Sequence, residues 1–151
     1  MELLQLESTL VGVAGEYFVA AELSVRGYLA SVTLRNSRGI DIIASNSDAS
    51  RSVSIQVKTS KKGAARWVLT KKAETFFAGN HFYIFTRLHE IGERPDFYIV
   101  PSETVAKYCS RTHREWLAGT KKDGSARNDS SMRVFEDKEG EYKEAWGSLG
   151  L

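Results

Sequence analysis

The residues best suited to chemistry lie in two short apolar segments that have the composition of β-strands. In the first segment, GIDIIA over residues 39–44, Asp41 is the only charged residue. The second segment, SIQVKT over residues 54–59, carries Gln56 and Lys58. Side chains alternate between the two faces of a strand, so Gln56 and Lys58 share one face. An acid and a lysine pack poorly inside a sheet, but together they suit a divalent cation held beside a phosphate.

A further carboxylate, Glu16, lies in a segment with helical periodicity. Its neighbours three, four and seven positions away along the helix are Val13, Gly12, Ala20 and Leu23. A carboxylate on such a small, apolar face requires a polar partner in the element that packs against it. We therefore expect this helix to lie across the strand face that carries Asp41, Gln56 and Lys58.

These groups together predict a metal site. Two carboxylates, the Gln56 amide oxygen, the Val57 carbonyl and waters would surround Mg²⁺ or Mn²⁺. The metal would polarise a scissile phosphate and lower the pKa of a bound water, while Lys58 would orient that water or neutralise charge on the phosphorus. Two structural interpretations stay open. Asp41 and Lys58 can form a plain ion pair in the sheet, and Gln56 can simply hydrogen-bond to it.

The elements that must position these residues follow from periodicity and turn residues. A helix is expected from the caps Ser8 and Thr9 to about Arg26, ended by Gly27. Strands are expected over residues 28–34, 40–44, 52–59, 81–87, 96–100 and 132–135. Further helices are expected over residues 70–78, 102–117 and 142–146, and turns over 36–39 and 46–51. Three strands with short connections, followed by a helix-joined strand, predict an α/β fold with a mixed sheet flanked by helices.

The aromatic residues in the middle of the chain are expected to form a packed platform beneath the site. They are Phe76, Phe77, Phe82, Tyr83, Phe85, Phe97 and Tyr98. Trp67 is expected to pack in the core beside the helix over residues 70–78, because a lone tryptophan is usually buried. A preorganised site needs such a rigid support.

Three motifs of this chain resemble those of the PD-(D/E)XK nuclease superfamily: Gly15-Glu16, Gly39-Ile40-Asp41 and Gln56-Val57-Lys58. The nearest likeness is to its restriction-endonuclease-like and Holliday-junction-resolvase-like branch, over roughly residues 9–60. The resemblance implies an αβββαβ core with a mixed central sheet. It also implies that Asp41 and Glu16 bind metal and that Lys58 is the catalytic lysine.

Two positions depart from the family pattern. Ile40 stands where the family has a proline before the aspartate, and Gln56 stands where it has a second acidic residue. Some family members are similar to this chain in carrying glutamine there, so the departure is compatible with activity. Gln56 offers one neutral oxygen and no negative charge, which predicts weaker metal binding unless Glu16 compensates.

Positive charge is concentrated in one stretch of a chain whose formal net charge is only +2. Residues 51–73 contain seven Lys or Arg and no Asp or Glu, whereas residues 1–25 contain four Glu and no Lys or Arg. The low net charge argues against a general nucleic-acid coat protein, but a local strip can bind phosphates. A solvated loop and helix face explains the strip equally well. The residues predicted to contact nucleic acid are Arg38, Ser60, Lys61, Lys62 and Arg66.

Length and composition set the outer bounds. The 151 residues, 42% apolar and 26% charged, suit one domain over 1–151, with its core over 9–87 and an elaboration over 88–151. No apolar run is long enough to span a membrane, and the first residues lack the basic character of a signal or transit peptide. Cys109 is the only cysteine, so a reducing, cytoplasmic setting is expected. The sequence has no zinc-site spacing, G-x-S-x-G motif or P-loop.

The sequence therefore predicts a metal-dependent nucleic-acid phosphodiesterase, with DNA as the expected substrate and endonuclease activity as the expected reaction. The alternative is a catalytically inactive domain on the same fold that binds nucleic acid or a protein partner. A homodimer is also expected, because resolvases and many restriction enzymes, which the chain resembles, act as dimers.

Overall fold

The computed structural model describes residues 2–34 and 38–151, apart from the side chain of Leu4. Its α-helices are α1 (Ser8–Val25) and α2 (Ser102–Ala118). Its strands are β1 (Leu29–Val32), β2 (Ile42–Ser45), β3 (Ser52–Ser60), β4 (Arg66–Thr70), β5 (His81–Arg87), β6 (Asp96–Pro101) and β7 (Met132–Glu136). Short 3₁₀ turns occupy Leu3–Gln5, Lys71–Glu74 and Trp146–Leu149. Within the described residues, no helix has the length and apolar character that a membrane span requires.

Within residues 2–34 and 38–151, five strands form the central sheet, in the order β1-β2-β3-β5-β6. Neighbouring strands run antiparallel except β3 and β5, which are parallel, so the sheet is mixed. The loop between β2 and β3 lies at residues 46–51, as the sequence predicted. Strands β4 and β7 pair in a separate two-stranded antiparallel sheet. The predicted architecture, a mixed sheet flanked by helices, is confirmed.

Apolar side chains cover the two faces of the central sheet in different ways. On one face, Val19 and Leu23 of α1 pack against the inward residues of β2, β3 and β5, such as Ile55. On the other face, the rings of β5 and β6 pack under α2 and the small β4–β7 sheet. This second core contains Trp67, Leu69, Tyr83, Phe85, Tyr98, Val105 and Phe135. Gln56 and Lys58 belong to this second face, because they alternate with the buried Ile55 and Val57.

Helix α1 buries a narrower stripe than its apolar content suggests. Its buried residues, at four-residue spacing, are Val11, Gly15, Val19 and Leu23. Other apolar residues of the helix are 41–80% exposed, namely Leu10, Tyr17, Phe18 and Val25. Helix α1 is thus apolar on two sides, and only one side is covered by the described residues.

The ends of α1 show one correct and one wrong prediction. Gly27 follows the helix with a φ of +85°, a conformation that glycine adopts without strain, as expected for a helix end. The predicted caps Ser8 and Thr9 are wrong, because both lie inside the helix and Glu7 occupies the cap position without a side-chain hydrogen bond. The predicted turn over 36–39 is observed at Arg38 and Gly39, while Asn36 and Ser37 lie outside the described residues.

The helix predicted over residues 70–78 is wrong. Residues 66–70 form β4 instead, with alternating exposed and buried side chains, and only the 3₁₀ turn Lys71–Glu74 follows. The buried Trp67 and Leu69 take one side of β4, and Trp67 pairs with Phe135 of β7. A period of two over residues 66–70 fits a half-buried strand and not a helix, which explains why β4 forms before the 3₁₀ turn. The terminal helix predicted over 142–146 is also replaced, by the 3₁₀ turn Trp146–Leu149.

The predicted aromatic platform is confirmed for most of its members. Phe82, Tyr83, Phe85, Phe97 and Tyr98 are all at most 5% exposed. Phe76 and Phe77 are exceptions, with 42% and 49% of their surfaces exposed. Both follow the 3₁₀ turn instead of lying on a packed helix face, so the chain leaves them at the surface.

Candidate active site

Asp41 is fixed at the point where the chain enters β2. Its backbone N–H donates to the carbonyl of Ile55 at 2.8 Å, and its carbonyl accepts from the N–H of Thr33 at 2.9 Å. Its side-chain Oδ2 accepts from the N–H of Val57 at 2.7 Å. Ile42 pairs with Ile55, so the same register sets Asp41 opposite Gln56. The carboxylate is therefore held against the middle of β3 by its own backbone.

The surroundings of Asp41 disfavour its negative charge. Burial raises the pKa of this carboxyl above its ordinary value of 3.8, and this outweighs the hydrogen bond from Val57 and the positive charge of Lys58, which both lower it. A bound cation would stabilise a partly buried carboxylate whose negative charge its neighbours do not fully balance.

Gln56 and Lys58 open into a cleft of about 670 Å³ on the second face of the sheet. The cleft is lined by β3 and β5, by the end of β4 with the following 3₁₀ turn, and by Arg38 and Gly39. Gly39 has a φ of +66°, and a Cβ placed on it would lie 3.6 Å from Oε1 of Gln56 and 3.3 Å from the ring of Phe76. A side chain at position 39 would therefore crowd the mouth of the cleft beside Gln56.

The expected position of α1 is wrong. We expected the helix to lie across the face of Asp41, Gln56 and Lys58, but α1 packs on the opposite face, over Ile55 and Val57. The reason is apolar burial, since these residues offer the larger hydrophobic surface. Helix α1 approaches β3 most closely at Gly15, whose missing Cβ would lie 1.8 Å from Oγ1 of Thr59.

Glu16 lies on α1 next to the point where this helix contacts β3. Glu16 is half-buried and directly follows Gly15. Gly15 packs closely against Thr59, which directly follows Lys58. The helix thus brings Glu16 to the end of β3 from behind the sheet. Its role as a metal ligand remains a prediction.

His81 lies near the site, and its sequence context predicted no role for it. It is 3% exposed and its Nδ1 lies 2.8 Å from Oγ of Ser54. Its Nε2 is buried with no hydrogen-bond partner among the described residues. Burial lowers the pKa of His81, partly offset by Ser54 and by the charge of Asp41. Ser54 lies on the same face of β3 as Gln56 and Lys58. This two-residue spacing is the sequence signal that could have drawn attention to Ser54 and to its partner His81.

The residues predicted to contact nucleic acid differ in their surroundings. Arg38 is exposed and lines the cleft. Lys62 lies 2.6 Å from Glu90, and Arg66 lies 3.3 Å from Glu136, so both already have acidic partners. The hydroxyl oxygen of Ser60 is buried without a partner, which removes it from direct contact with a phosphate in this conformation. Lys61 is half-buried just beyond β3.

Two cleft residues were missed by sequence reasoning. Lys72 and Phe76 both line the cleft, whereas Lys72 was predicted to lie on a helix and Phe76 in the core. Their position depends on β4, which carries the following 3₁₀ turn to the edge of the cleft. The alternating pattern of residues 66–70 was the available signal.

The donor set around Asp41 is poor in acidic groups. Among residues 2–34 and 38–151, no three His, Cys, Asp or Glu side chains are grouped so that they could hold a metal ion. This agrees with the presence of Gln56 in place of a second carboxylate. The donors fit a hard cation by type, since all are oxygens, but they carry less negative charge than a carboxylate cluster.

Comparison with known proteins identifies the fold. No protein-family description and no curated protein sequence matches this chain. A bacterial homing endonuclease, I-Ssp6803I, is similar in structure at 14% identity over 95% of this chain and 92% of that chain, with a TM-score of 0.57. Hjc, a Holliday junction resolvase from Archaeoglobus fulgidus, is 15% identical over 83% of this chain and 84% of that chain, with a TM-score of 0.46. The first likeness confirms the predicted restriction-endonuclease-like fold class.

Proposed function

We propose that this protein is a Mg²⁺-dependent phosphodiesterase that cleaves nucleic acid, with DNA as its substrate. The observation that supports this most strongly is the half-buried, destabilised carboxylate of Asp41, which lies opposite Gln56 in the sheet, next to the cationic cleft that Gln56 and Lys58 line. Acidic and amide oxygens next to a lysine suit the hydrolysis of a phosphate ester better than they suit packing.

Each group has a separate role in this proposal. The oxygens of Asp41, Gln56 and Glu16, with the carbonyl of Val57, would hold the cation. When bound, Mg²⁺ would polarise the scissile phosphate and lower the pKa of a coordinated water. The Lys58 ammonium would orient the attacking water and stabilise the negative charge that develops on the phosphoryl oxygens. The hydrogen bond from Val57 to Asp41 keeps the carboxylate in place while this occurs.

The charge of the cleft supports a polyanionic substrate. Among the described residues that line it, three are cationic and none is acidic: Arg38, Lys58 and Lys72. Cations arranged along a cleft contact phosphates without reading sequence, and such contacts make binding dependent on salt. Lys61 is a further proposed contact, whereas Lys62 and Arg66 would first have to leave Glu90 and Glu136.

Cleavage of plasmid and branched DNA tests the proposal. With Mg²⁺ or Mn²⁺ we expect Asp41→Ala and Lys58→Ala each to lower the rate by at least about 100-fold, the scale of positioned acid–base and electrostatic groups. The matched controls Asp48→Ala and Lys138→Ala change exposed residues of the same types, so the rate should stay near that of the wild type. Equal cleavage by wild type and both site variants would contradict the mechanism.

A binding domain without catalysis is the second candidate, and Gln56 favours it. Replacing a carboxylate by an amide removes one charge from the ligand set, which can leave a scaffold that binds DNA but not metal. Calorimetry with Mn²⁺ separates the two candidates. Binding that is abolished by Asp41→Asn and strengthened by Gln56→Glu would favour the enzyme, whereas DNA binding without metal binding would favour the module.

We also propose that the protein acts as a homodimer. The apolar side of α1 that the described residues leave exposed supports this, as does the edge strand β1, which has a neighbour on one side only within the same residues. Exposed apolar patches on soluble proteins often mark association sites. A dimer would present two clefts, as the cleavage of two strands requires.

A further inference from the structure

The cleft contains a feature that binding to a phosphate backbone does not require. One part of its lining is cationic, but another part is apolar and consists of Leu69, Ala73, Phe76 and Tyr83. Phosphates and sugars are recognised by charged and polar groups. The apolar lining therefore has surface available for another part of the substrate.

Phe76 is the most informative residue of this lining. It is 42% exposed, although phenylalanine is among the residues most often buried. Its ring is nevertheless held in place, edge-on to His81 at 5.0 Å between ring centroids and close to Gly39. His81 is itself fixed by Ser54, so the ring rests on a rigid part of the sheet. Phe76 is thus an exposed aromatic surface at a defined position beside Gln56 and Lys58.

We infer that the cleft binds an unpaired nucleotide, with its base against Phe76 and its phosphate against Lys58 and Lys72. This inference rests on the proposed function, and it names the substrate class as nucleic acid with an unpaired nucleotide at the cleavage site, in place of perfect duplex. The cleft volume of about 670 Å³ lies within the range of sites that enclose a group of this size. Bases stack on aromatic side chains regardless of sequence. A base within a duplex is already stacked on its neighbours, so only an unpaired or extruded base can reach Phe76.

Equilibrium binding without divalent metal tests this inference, because no cleavage is needed. A fluorescently labelled duplex is compared with the same duplex carrying one bulged nucleotide. We expect wild type to bind the bulged DNA at least about tenfold more tightly, in line with the stacking of one base. Phe76→Ala should lose this preference, and Phe76→Trp should retain it.

Two further variants make the result specific. Phe77→Ala removes a neighbouring ring with similar exposure that lines a different groove, so it should keep the preference for bulged DNA. Lys72→Gln should weaken binding to both DNAs equally and reduce the salt dependence, since it removes a phosphate contact. Thermal melting of each variant shows that it is folded. Equal affinity of wild type for the two DNAs, or equal effects of Phe76→Ala and Phe77→Ala, would overturn the inference.

The outcome is separable from that of the proposed function. Metal-dependent cleavage that requires Asp41 and Lys58, without any preference for the bulge, would refute the base site and leave the nuclease proposal standing. A preference that depends on Phe76, without cleavage under any metal, would refute the nuclease proposal and retain the base site.

Discussion

Asp41, the proposed metal ligand, carries a charge that weakens the fold around it. Burial raises the pKa of its carboxyl, although the hydrogen bond from Val57 and the positive charge of Lys58 both lower it. A carboxyl whose pKa is higher in the folded state than in the unfolded state favours folding most when protonated. Its contribution is complete below pH 3.8 and is lost as pH rises through the folded-state pKa. At neutral pH the ionised carboxylate therefore lowers the stability of the metal-free protein.

We predict that Asp41→Asn stabilises the metal-free protein at pH 7. Asparagine keeps an oxygen that can accept from Val57 and removes the buried charge. Each unit by which the folded-state pKa exceeds the unfolded one corresponds to about 1.4 kcal/mol. Thermal melts should show a higher Tm for the variant at pH 7, and the difference should shrink as the pH falls towards 4.

The exposed Asp48 is a matched control for this prediction. Hydrogen bonds from the side chain and the backbone N–H of Ser50 lower the pKa of its carboxyl, so Asp48→Asn should not raise the Tm. A Tm for Asp41→Asn that lies below wild type at pH 7 would show that the carboxylate is well compensated without metal. Such a result would remove the main electrostatic argument for a cation site.

At the residue scale, the sequence alone predicts those side-chain positions that follow from the two-residue period of a strand. Alternation along β3 sets Gln56 and Lys58 on one face. Asp41 is recognisable as the one charged residue of the apolar segment 39–44. Phe76 could not be predicted in the same way, because its exposure depends on how β4 and the following turn pack. The position of Glu16 depends on which sheet face α1 covers, and no local pattern contains that information.

At the scale of elements, the closest contact in the site region is that of α1 with β3. Gly15 allows it, because a Cβ at this position would lie 1.8 Å from Oγ1 and 2.9 Å from Cβ of Thr59. Rotation of the Thr59 side chain can relieve the first contact but not the second. Thr59 directly follows Lys58, so any displacement of β3 here also moves the proposed catalytic lysine.

We predict that Gly15→Ala destabilises the protein by about 1–3 kcal/mol, the usual effect of overpacking. Gly12→Ala is the matched control in the same helix, because its Cβ would meet nothing within 4 Å. That change should stabilise the protein by about 0.5–1 kcal/mol, the ordinary advantage of alanine over glycine in a helix. Urea unfolding of both variants measures the difference, and two changes of the same sign would contradict the packing described for α1.

The elements themselves were partly predictable. Strands β2, β3 and β5 and both long helices follow from apolar periodicity, and Gly27 marks the end of α1. Strand β4 was missed because the Lys-Lys-Ala-Glu segment that follows it resembles a helix start, while its partner β7 is more than 60 residues away in sequence. Pairing between such distant strands is set by burial of Trp67 against Phe135, which no window of sequence displays.

At the scale of the whole molecule, the uncovered side of α1 is the feature that a single chain does not explain. Leu10, Tyr17, Phe18 and Val25 recur at helical spacing along it. None of them carries charge, so two copies of this stripe can pack on each other without an unpaired ion.

We predict that the protein is a dimer at micromolar concentration and that Tyr17→Glu combined with Val25→Glu converts it to a monomer. Two buried carboxylates at a self-paired surface would repel their copies and lose solvation, which disfavours association. Light scattering coupled to size exclusion should give twice the 16.9 kDa of one chain for wild type and 16.9 kDa for the variant. Ile91→Glu, at an exposed apolar residue in the loop before β6, is the control and should remain dimeric. A monomeric wild type would mean that α1 meets some other partner, and equal disruption by Ile91→Glu would place the interface elsewhere.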